Sequence, residues 1–372
     1  NSSREESDST EGSSRTPLPG VKDHSNSQSP PNGHMSGNHR PRASFHEQGA
    51  SRPARFSKSS FPAGQQPMKL GVVILAAGEG TRMVSSLPKA LHPLGGEPMV
   101  AHVLRATIPL QPQERVLVVG HGAPQVREAL KDEDIAFVGQ AEQRGTGHAL
   151  LQARQVLEGQ VDAILALYAD VPLIRTGTLA KLIAHHQVSR AVLTLLTHHA
   201  ADPAGYGRIV RDGRGGAVAI VEEKDTILAQ KAIAEVNCGL YCAESAWLWD
   251  ALEKLELGPQ GEYYLTDLVE LAAEEGAKVE TVQTEDGEEI MGINNRVQLA
   301  EAEGVLRHRK LEKLMLNGVT ITDPSSTYVE PSVEIGQDTV ILPGSILQGQ
   351  SRIGSGCTVG PYSVIRDCQI GP

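Results

Sequence analysis

The chain has 372 residues, a formal net charge of −11, and 40% hydrophobic but only 3% aromatic residues. That length holds two domains of ordinary size plus a tail, with a core that must be aliphatic. An acidic chain is a poor binder of nucleic acid or a membrane surface, and no apolar run approaches a membrane span. A cytoplasmic protein acting on small molecules, phosphorylated ones included, is the expectation.

Residues 1–67 are rich in Ser, Pro, Gly, Asn, His and Arg and almost free of aliphatic side chains. Such a segment buries too little surface to offset the entropy of ordering, and it reads as a disordered tail. Met68 opens "MKLGVVILAAG", a plausible functional start. From Lys69 to about Thr284 strands and helices alternate. "KLGVVILAAG" is a continuous apolar strand, as when both faces are buried in a parallel sheet. "MVAHVLRAT" has helical spacing, "ERVLVVGH" is a second strand and "APQVREALKD" a second helix. "IAFVGQA" follows as a short strand, "GTGHALLQARQVL" as a helix and "DAILALYADVPLI" as another buried strand. The alternation predicts a doubly wound α/β domain, whose ligands sit at the carboxyl ends of the strands.

Asn295 to Gly318 reads as one long helix with a glycine stop. The period then changes. Ile335, Ile341, Leu347, Ile353, Val359 and Ile365 recur every six residues. Thr339, Ser345, Ser351, Cys357 and Ser363 stand four positions after the first five. A six-residue period fits a parallel β-helix, with an aliphatic residue inward on each short strand and a small one near each corner. The array stops at Pro372 without a capping segment, so a truncated array is expected. Cys238, Cys242, Cys357 and Cys368 form no CxxC pair and read as buried small hydrophobes in a reduced compartment.

The turn after the first strand, "AAGEGTRM", is neither of two familiar phosphate loops. A P-loop needs GxxxxGK[ST], but Gly78 is followed by Glu-Gly-Thr-Arg. A dinucleotide loop needs a third glycine where Met83 stands. What remains is Gly78, Gly80, Thr81 and Arg82, with Lys89 seven residues beyond the arginine. Glycines let backbone N–H groups approach phosphate oxygens, and two cations supply the charge that phosphoryl transfer needs. Solvated loop charges are the plain alternative. Asp170, in "LYADVPL", follows a buried strand and suits Mg²⁺, which takes one or two protein oxygens plus phosphates. An N-cap or turn aspartate would look the same.

Several stretches together carry a resemblance: "LAAGEGTRM…LPKALHPLGGEPM", "GQAEQRGTGHALLQA", "LYADVPLI", "PAGYGRIVRD", "AIVEEKD", "EVNCGLY", "GEYYLTDLVELA" and "GINNRVQLAEAE", followed by the hexad array. In that order they resemble the bacterial bifunctional N-acetylglucosamine-1-phosphate uridylyltransferase / glucosamine-1-phosphate acetyltransferase family. The resemblance implies a Rossmann-like nucleotidyltransferase domain over 68–294, a linker helix over 295–318 and, over 319–372, the start of a left-handed parallel β-helix. It implies Mg²⁺-dependent transfer of UMP from UTP to N-acetylglucosamine 1-phosphate, a step toward cell-wall precursors. By the same resemblance Leu75, Ala76, Ala77 and Gly78 meet the nucleotide through their backbone, and Arg82 and Lys89 stabilise the triphosphate. Gln140, Gly145 and Thr146 read uracil and ribose. Tyr168, Ala169 and Asp170 line the sugar-nucleotide site, and Gly207, Glu222 and Asn237 serve the sugar. Asp170 and Asn294 hold Mg²⁺.

The family usually has glycine where Ala169 stands, so the added methyl group is expected to crowd the sugar phosphate, with a modest effect because Asp170 remains. The family's acetyl-transfer residues lie in later coils between subunits of a trimer. They are expected to be missing here, together with acetyl transfer by this chain. A related enzyme for another sugar phosphate or base, and a silent regulatory copy of the fold, are the alternatives. The joint presence of Arg82, Lys89, Asp170 and Asn294 argues against the silent copy.

Overall fold

A computed structural model describes residues 68–371 except Pro259. The tail expected over residues 1–67 lies outside the described residues.

The first strand, β1 (Leu70–Ala76), is followed by a turn carrying Arg82 and Lys89 and by a small hairpin, β2 (Pro93–Leu94) and β3 (Glu97–Pro98). Then come α1 (Met99–Thr107), β4 (Glu114–Val119), α2 (Ala123–Ala129) and β5 (Ala136–Gly139). The single helix expected over "GTGHALLQARQVL" is two short ones, α3 (Thr146–Leu151) and α4 (Arg154–Leu157). The break falls where the Gln152 and Ala153 amides bond three residues back, tightening the coil. Next is β6 (Ala163–Tyr168), which ends before Asp170, so "ADVPLI" is a turn and not more strand.

The second half adds α5 (Thr176–Ser189), β7 (Leu193–His199), β8 (Arg208–Arg211), β9 (Ala217–Val221), α6 (Leu228–Lys231) and β10 (Glu235–Glu244). It closes with α7 (Ser245–Lys254), α8 (Leu268–Glu274) and β11 (Val279–Thr284). These strands form one mixed, mostly parallel sheet in the order β11-β7-β10-β6-β1-β4-β5, with β8 and β9 attached to β10. β10 is the antiparallel insertion, paired with β7, β6 and β8.

The apolar runs of the central strands are continuous because helices cover both faces. Val73, Leu75, Val116, Val118, Ile164 and Ala166 are buried on one face with α3, α7 and α8. Val72, Ile74, Leu117, Val119, Leu165 and Leu167 are buried on the other with α1 and α5. Alternation with period two sends successive residues to opposite layers, and each fully buried aliphatic side chain contributes about 1.5–3 kcal/mol. From β1 the chain moves outward through β4 and β5, then returns to lay β6 on β1's other side. The topological switch point therefore lies between β1 and β6, and the ligand crevice of such sheets opens at the carboxyl ends there.

The long helix α9 (Arg296–Leu316) starts at Asn295, whose side chain accepts from the Val297 and Gln298 amides at 2.9 Å each. Gly318 ends it at φ 91°. Nine short strands follow: β12 (Thr320–Ile321), β13 (Tyr328–Val329), β14 (Glu334–Ile335), β15 (Val340–Ile341), β16 (Ile346–Gln348), β17 (Arg352–Ile353), β18 (Thr358–Val359), β19 (Val364–Arg366) and β20 (Gln369–Ile370). They stack as three parallel three-stranded sheets, the walls of a parallel β-helix. Ile341, Leu347, Ile353 and Val359 fill its interior. Thr339, Ser345 and Ser351 are fully buried, and their hydroxyls donate to turn carbonyls at 2.6–2.7 Å. The small corner residue is therefore polar for a reason: its hydroxyl, buried at the corner, is satisfied by a carbonyl of the tight turn. Burial of all four cysteines is corrected. Cys238 and Cys242 are buried in β10, but Cys357 is only partly covered and Cys368 is exposed on the outermost described coil.

Candidate active site

The carboxyl ends of β1 and β6 open into a cavity of about 390 Å³. Leu75, Ala76, Ala77, Gly78, Lys89, Gln140, Gly145, Thr146, Tyr168, Ala169 and Asp170 all line it. Leu75 and Tyr168 are register partners, and the Ala169 amide donates to the Leu75 carbonyl at 3.0 Å, so the two strand ends are fixed side by side. A Cβ on Gly78 would meet no protein atom within 4 Å, so that face of the turn borders open space.

Lys89 is the hub of the polar end. Its ammonium forms an ion pair with Asp170 Oδ2 and donates to Asn294 Oδ1 at 2.8 Å. Arg82 donates to the same Asn294 oxygen at 2.8 Å. Asn294 is positioned from both sides: the neighbouring Ile293 amide donates to the Asp170 carbonyl, and its own amide donates to Gln298 Oε1 at 2.7 Å. Oxygens from Asp170 and Asn294 thus converge on one cationic centre. Two protein oxygens around a single positive charge fit a divalent ion that completes its shell with water and phosphate. Among the described residues no group of three or more His, Cys, Asp or Glu side chains is placed to hold a metal.

At the other end Gln140, buried, donates from Nε2 to the Gly145 carbonyl at 3.1 Å and lies 3.0 Å from His148 Nδ1. Gly145 has φ 97°, and a Cβ there would stand 2.6 Å from the Tyr263 carbonyl oxygen. The turn is stitched to that segment by Tyr263 N–H to Arg144 O and by Gly147 N–H to Tyr263 O, each at 2.8 Å. Only glycine permits this approach.

Gly207, Glu222 and Asn237 are not in the cavity lining and form a second group beside Tyr168. The Asn237 amide N–H donates to the Gly207 carbonyl at 2.8 Å, and Asn237 Nδ2 donates to the Tyr241 hydroxyl at 2.7 Å. Glu222 accepts from the Thr266 hydroxyl at 3.2 Å. Burial pushes the Glu222 carboxyl and the Tyr168 and Tyr241 hydroxyls upward, which keeps both tyrosines protonated as donors. The space where a Cβ on Gly207 would go is filled by Ile220 at 2.9 Å, so protein packing alone already demands glycine there. Ala169 itself is 3% exposed and packs in an apolar cluster of the core.

Four contributors escaped the sequence reading. Gln143 donates to the Ala77 carbonyl at 2.8 Å and pins the turn's start. Gln298 orients Asn294, Arg296 Nε donates to the Met83 carbonyl at 3.1 Å, and Glu262 lines the cavity. Gln298 carried a faint signal, one helical turn beyond Asn294 at a helix start. The others have none in their spacing.

Residues 72–265 match the MobA-like NTP transferase domain, and residues 332–372 match the bacterial transferase hexapeptide (six repeats). Among curated proteins, the bifunctional protein GlmU of Pelotomaculum thermopropionicum is 49% identical, with 80% of this chain and 73% of the relative covered. The chain belongs to the bifunctional GlmU family. GlmU of Syntrophotalea carbinolica is 49% identical over 81% of this chain and 65% of the relative, and that of Brevibacillus brevis 46% over 81% and 66%. The chain thus spans about two thirds of the length of the GlmU relatives it matches. Every candidate residue except Asn294 falls inside the NTP transferase match. Asn294 joins the candidate site through its bonds to Lys89 and Arg82.

Proposed function

We propose that this chain transfers UMP from UTP to N-acetylglucosamine 1-phosphate, releasing pyrophosphate and UDP-N-acetylglucosamine. The observation that carries the reading is the convergence of Lys89, Arg82, Asp170 and Asn294 at the mouth of a cavity whose other end is walled by Gln140 and Gly145. Charge handling stands at one end and a base-sized polar recess at the other.

The nucleophile is a phosphate oxygen of the sugar phosphate, already anionic, so no general base is needed. A bond forms from that oxygen to the α-phosphorus in line, and the α–β phosphoanhydride bond breaks. Catalysis is then positioning plus neutralisation of charge on the equatorial and leaving oxygens. The backbone of Leu75 to Gly78 seats the nucleotide, with Gly78 leaving room for a close approach. Gln140, Gly145 and Thr146 hold uracil and ribose. Tyr168 and Ala169 border the reacting phosphates, and Gly207, Glu222 and Asn237 bind the sugar hydroxyls and N-acetyl group. Arg82 and Lys89 supply fixed positive charge. Asp170 and Asn294 would hold Mg²⁺, which supplies further neutralisation of the triphosphate when bound.

Residues 68–294 act as the transferase unit, 295–318 as the linker and 319–372 as the first part of the acyltransferase β-helix. Trimerisation through the β-helix and acetyl transfer to glucosamine 1-phosphate are proposed for a chain with the family's full set of coils. A cytoplasmic location follows from these substrates, and among the described residues no helix is long and apolar enough to cross a membrane. The test is pyrophosphate release with UTP, N-acetylglucosamine 1-phosphate and Mg²⁺. Release that stops with a chelator supports the reading; equal release with dTTP, CTP or GTP overturns the uridine assignment.

A further inference from the structure

Arg208 is 2% exposed, yet it carries a guanidinium charge. It does not line the cavity and so does not meet the reacting groups. Its place in the sheet is specific. Gly207 precedes it in the chain. Its register partners are Val221 on β9 and Val236 on β10. The residues following those partners are Glu222 and Asn237. All three residues assigned above to the sugar therefore radiate from the strand crossing that Arg208 occupies.

The guanidinium has few partners there. Its Nη1 donates to the Tyr206 carbonyl, Nη2 lies 2.6 Å from Glu223 Oε2, and Nε has no hydrogen-bond partner among the described residues. A buried charge with one counter-ion is costly, and removing that counter-ion leaves it uncompensated. Glu223 follows Glu222 directly. The backbone at Glu222 has polyproline-like angles, φ −62° and ψ 145°, which turn successive side chains about 120° apart, so the two carboxylates diverge. Glu223 turns to Arg208, and Glu222 turns to a different partner, the Thr266 hydroxyl.

We propose that the Arg208–Glu223 ion pair is a positioning device for the sugar-phosphate subsite. It fixes the side on which Glu223 lies and thereby aims Glu222. It also ties the start of the Glu222 loop to the strands bearing Gly207 and Asn237. The proposal rests on the uridylyl-transfer reading above. Arg208 and Glu223 act through Glu222 and touch no substrate.

The test is steady-state kinetics of Glu223→Gln with UTP and N-acetylglucosamine 1-phosphate, beside thermal melting. The KM for the sugar phosphate is expected to rise at least about ten-fold, with kcat and the KM for UTP within about two-fold of wild type, the pattern of lost uniform binding at one subsite. A second variant, Arg208→Met with Glu223→Leu, replaces the pair by apolar groups and removes the unpaired charge. It is expected to melt near wild type and still show the raised sugar-phosphate KM. If it restores the sugar-phosphate KM, the pair is structural only and the proposal fails. A Glu223→Gln protein with unchanged sugar-phosphate KM, or with both KM values raised together, also overturns it. Absence of wild-type turnover overturns the uridylyl-transfer reading and this proposal with it, so the two failures are told apart by the wild-type control.

Discussion

Lys89 and Asn294, 205 positions apart in the chain, meet through a 2.8 Å hydrogen bond from the ammonium to the side-chain carbonyl. Asp170 holds the same ammonium from the other side. The positive group thus sits where the two candidate metal oxygens converge. A divalent ion can take those oxygens only if Lys89 lets go, and triphosphate oxygens offer it a new partner. Lys89→Met is therefore expected to bind Mn²⁺ more tightly than wild type without nucleotide, as read by electron paramagnetic resonance. Turnover is expected to fall by about 10²–10³, the usual cost of removing one fixed charge-stabilising donor. Unchanged metal affinity would show that the ammonium does not compete for this site.

Gln140 is held by its amide nitrogen, through the Gly145 carbonyl and His148, which leaves its oxygen as the acceptor for a base. Uracil presents an N–H at the ring position where cytosine presents a lone pair. Gln140→Ala is expected to lower kcat/KM for UTP by about 10–100-fold, the cost of leaving a buried polar group unpaired. The preference for UTP over CTP should shrink by a similar factor. An equal fall for both nucleotides would place Gln140 in the scaffold and not in base selection.

The strands and the β-helix were legible because each has one dominant period. Continuous apolar runs mark strands covered on both faces, and a hexad marks a three-walled coil. The charged end of the candidate site was legible for Arg82 and Lys89, which share a turn, and for Asp170 at a strand end. Asn294 entered only through the family resemblance, since its partners lie 205 and 212 positions away. Gln143 and Arg296 stayed hidden because each acts by donating to a backbone carbonyl. Such a contact depends on tertiary placement and leaves no pattern in the chain. Cys368 was misread because burial depends on what covers a coil, which a hexad does not specify.

Asp267 offers a pH signature next to the Glu222 loop. Burial, with Glu270 and Glu222 nearby, raises its carboxyl from its ordinary value to about 6. A carboxyl raised on folding stabilises the fold below its unfolded value near 4, and that contribution is lost as pH rises through about 6. Asp267→Asn should match wild type at pH 4 and exceed it at pH 7. Because the side chain is only partly buried, screening limits the gain to about 1 kcal/mol, or roughly 1–3 °C in melting temperature. Melting curves across this range check it; a gain that is independent of pH would remove titration of Asp267 as the cause.

Gly78 and Gly80 are two residues apart and answer to different constraints. Gly80 has φ 65°, and a Cβ on it would stand 2.6 Å from the Lys89 Cβ. A Cβ on Gly78 would touch no protein atom. Gly80→Ala therefore pays a left-handed backbone cost of about 1–2 kcal/mol and pushes Lys89 off Asp170 and Asn294. It should lower both melting temperature and kcat, approaching the loss expected on removing Lys89. Gly78→Ala should leave melting unchanged and instead raise the KM for UTP, because its methyl group enters the open space proposed for the nucleotide. Melting curves and kinetics on the two variants separate these roles. If Gly78→Ala destabilised the fold while sparing the KM, the turn would be packing against the protein and not against a ligand.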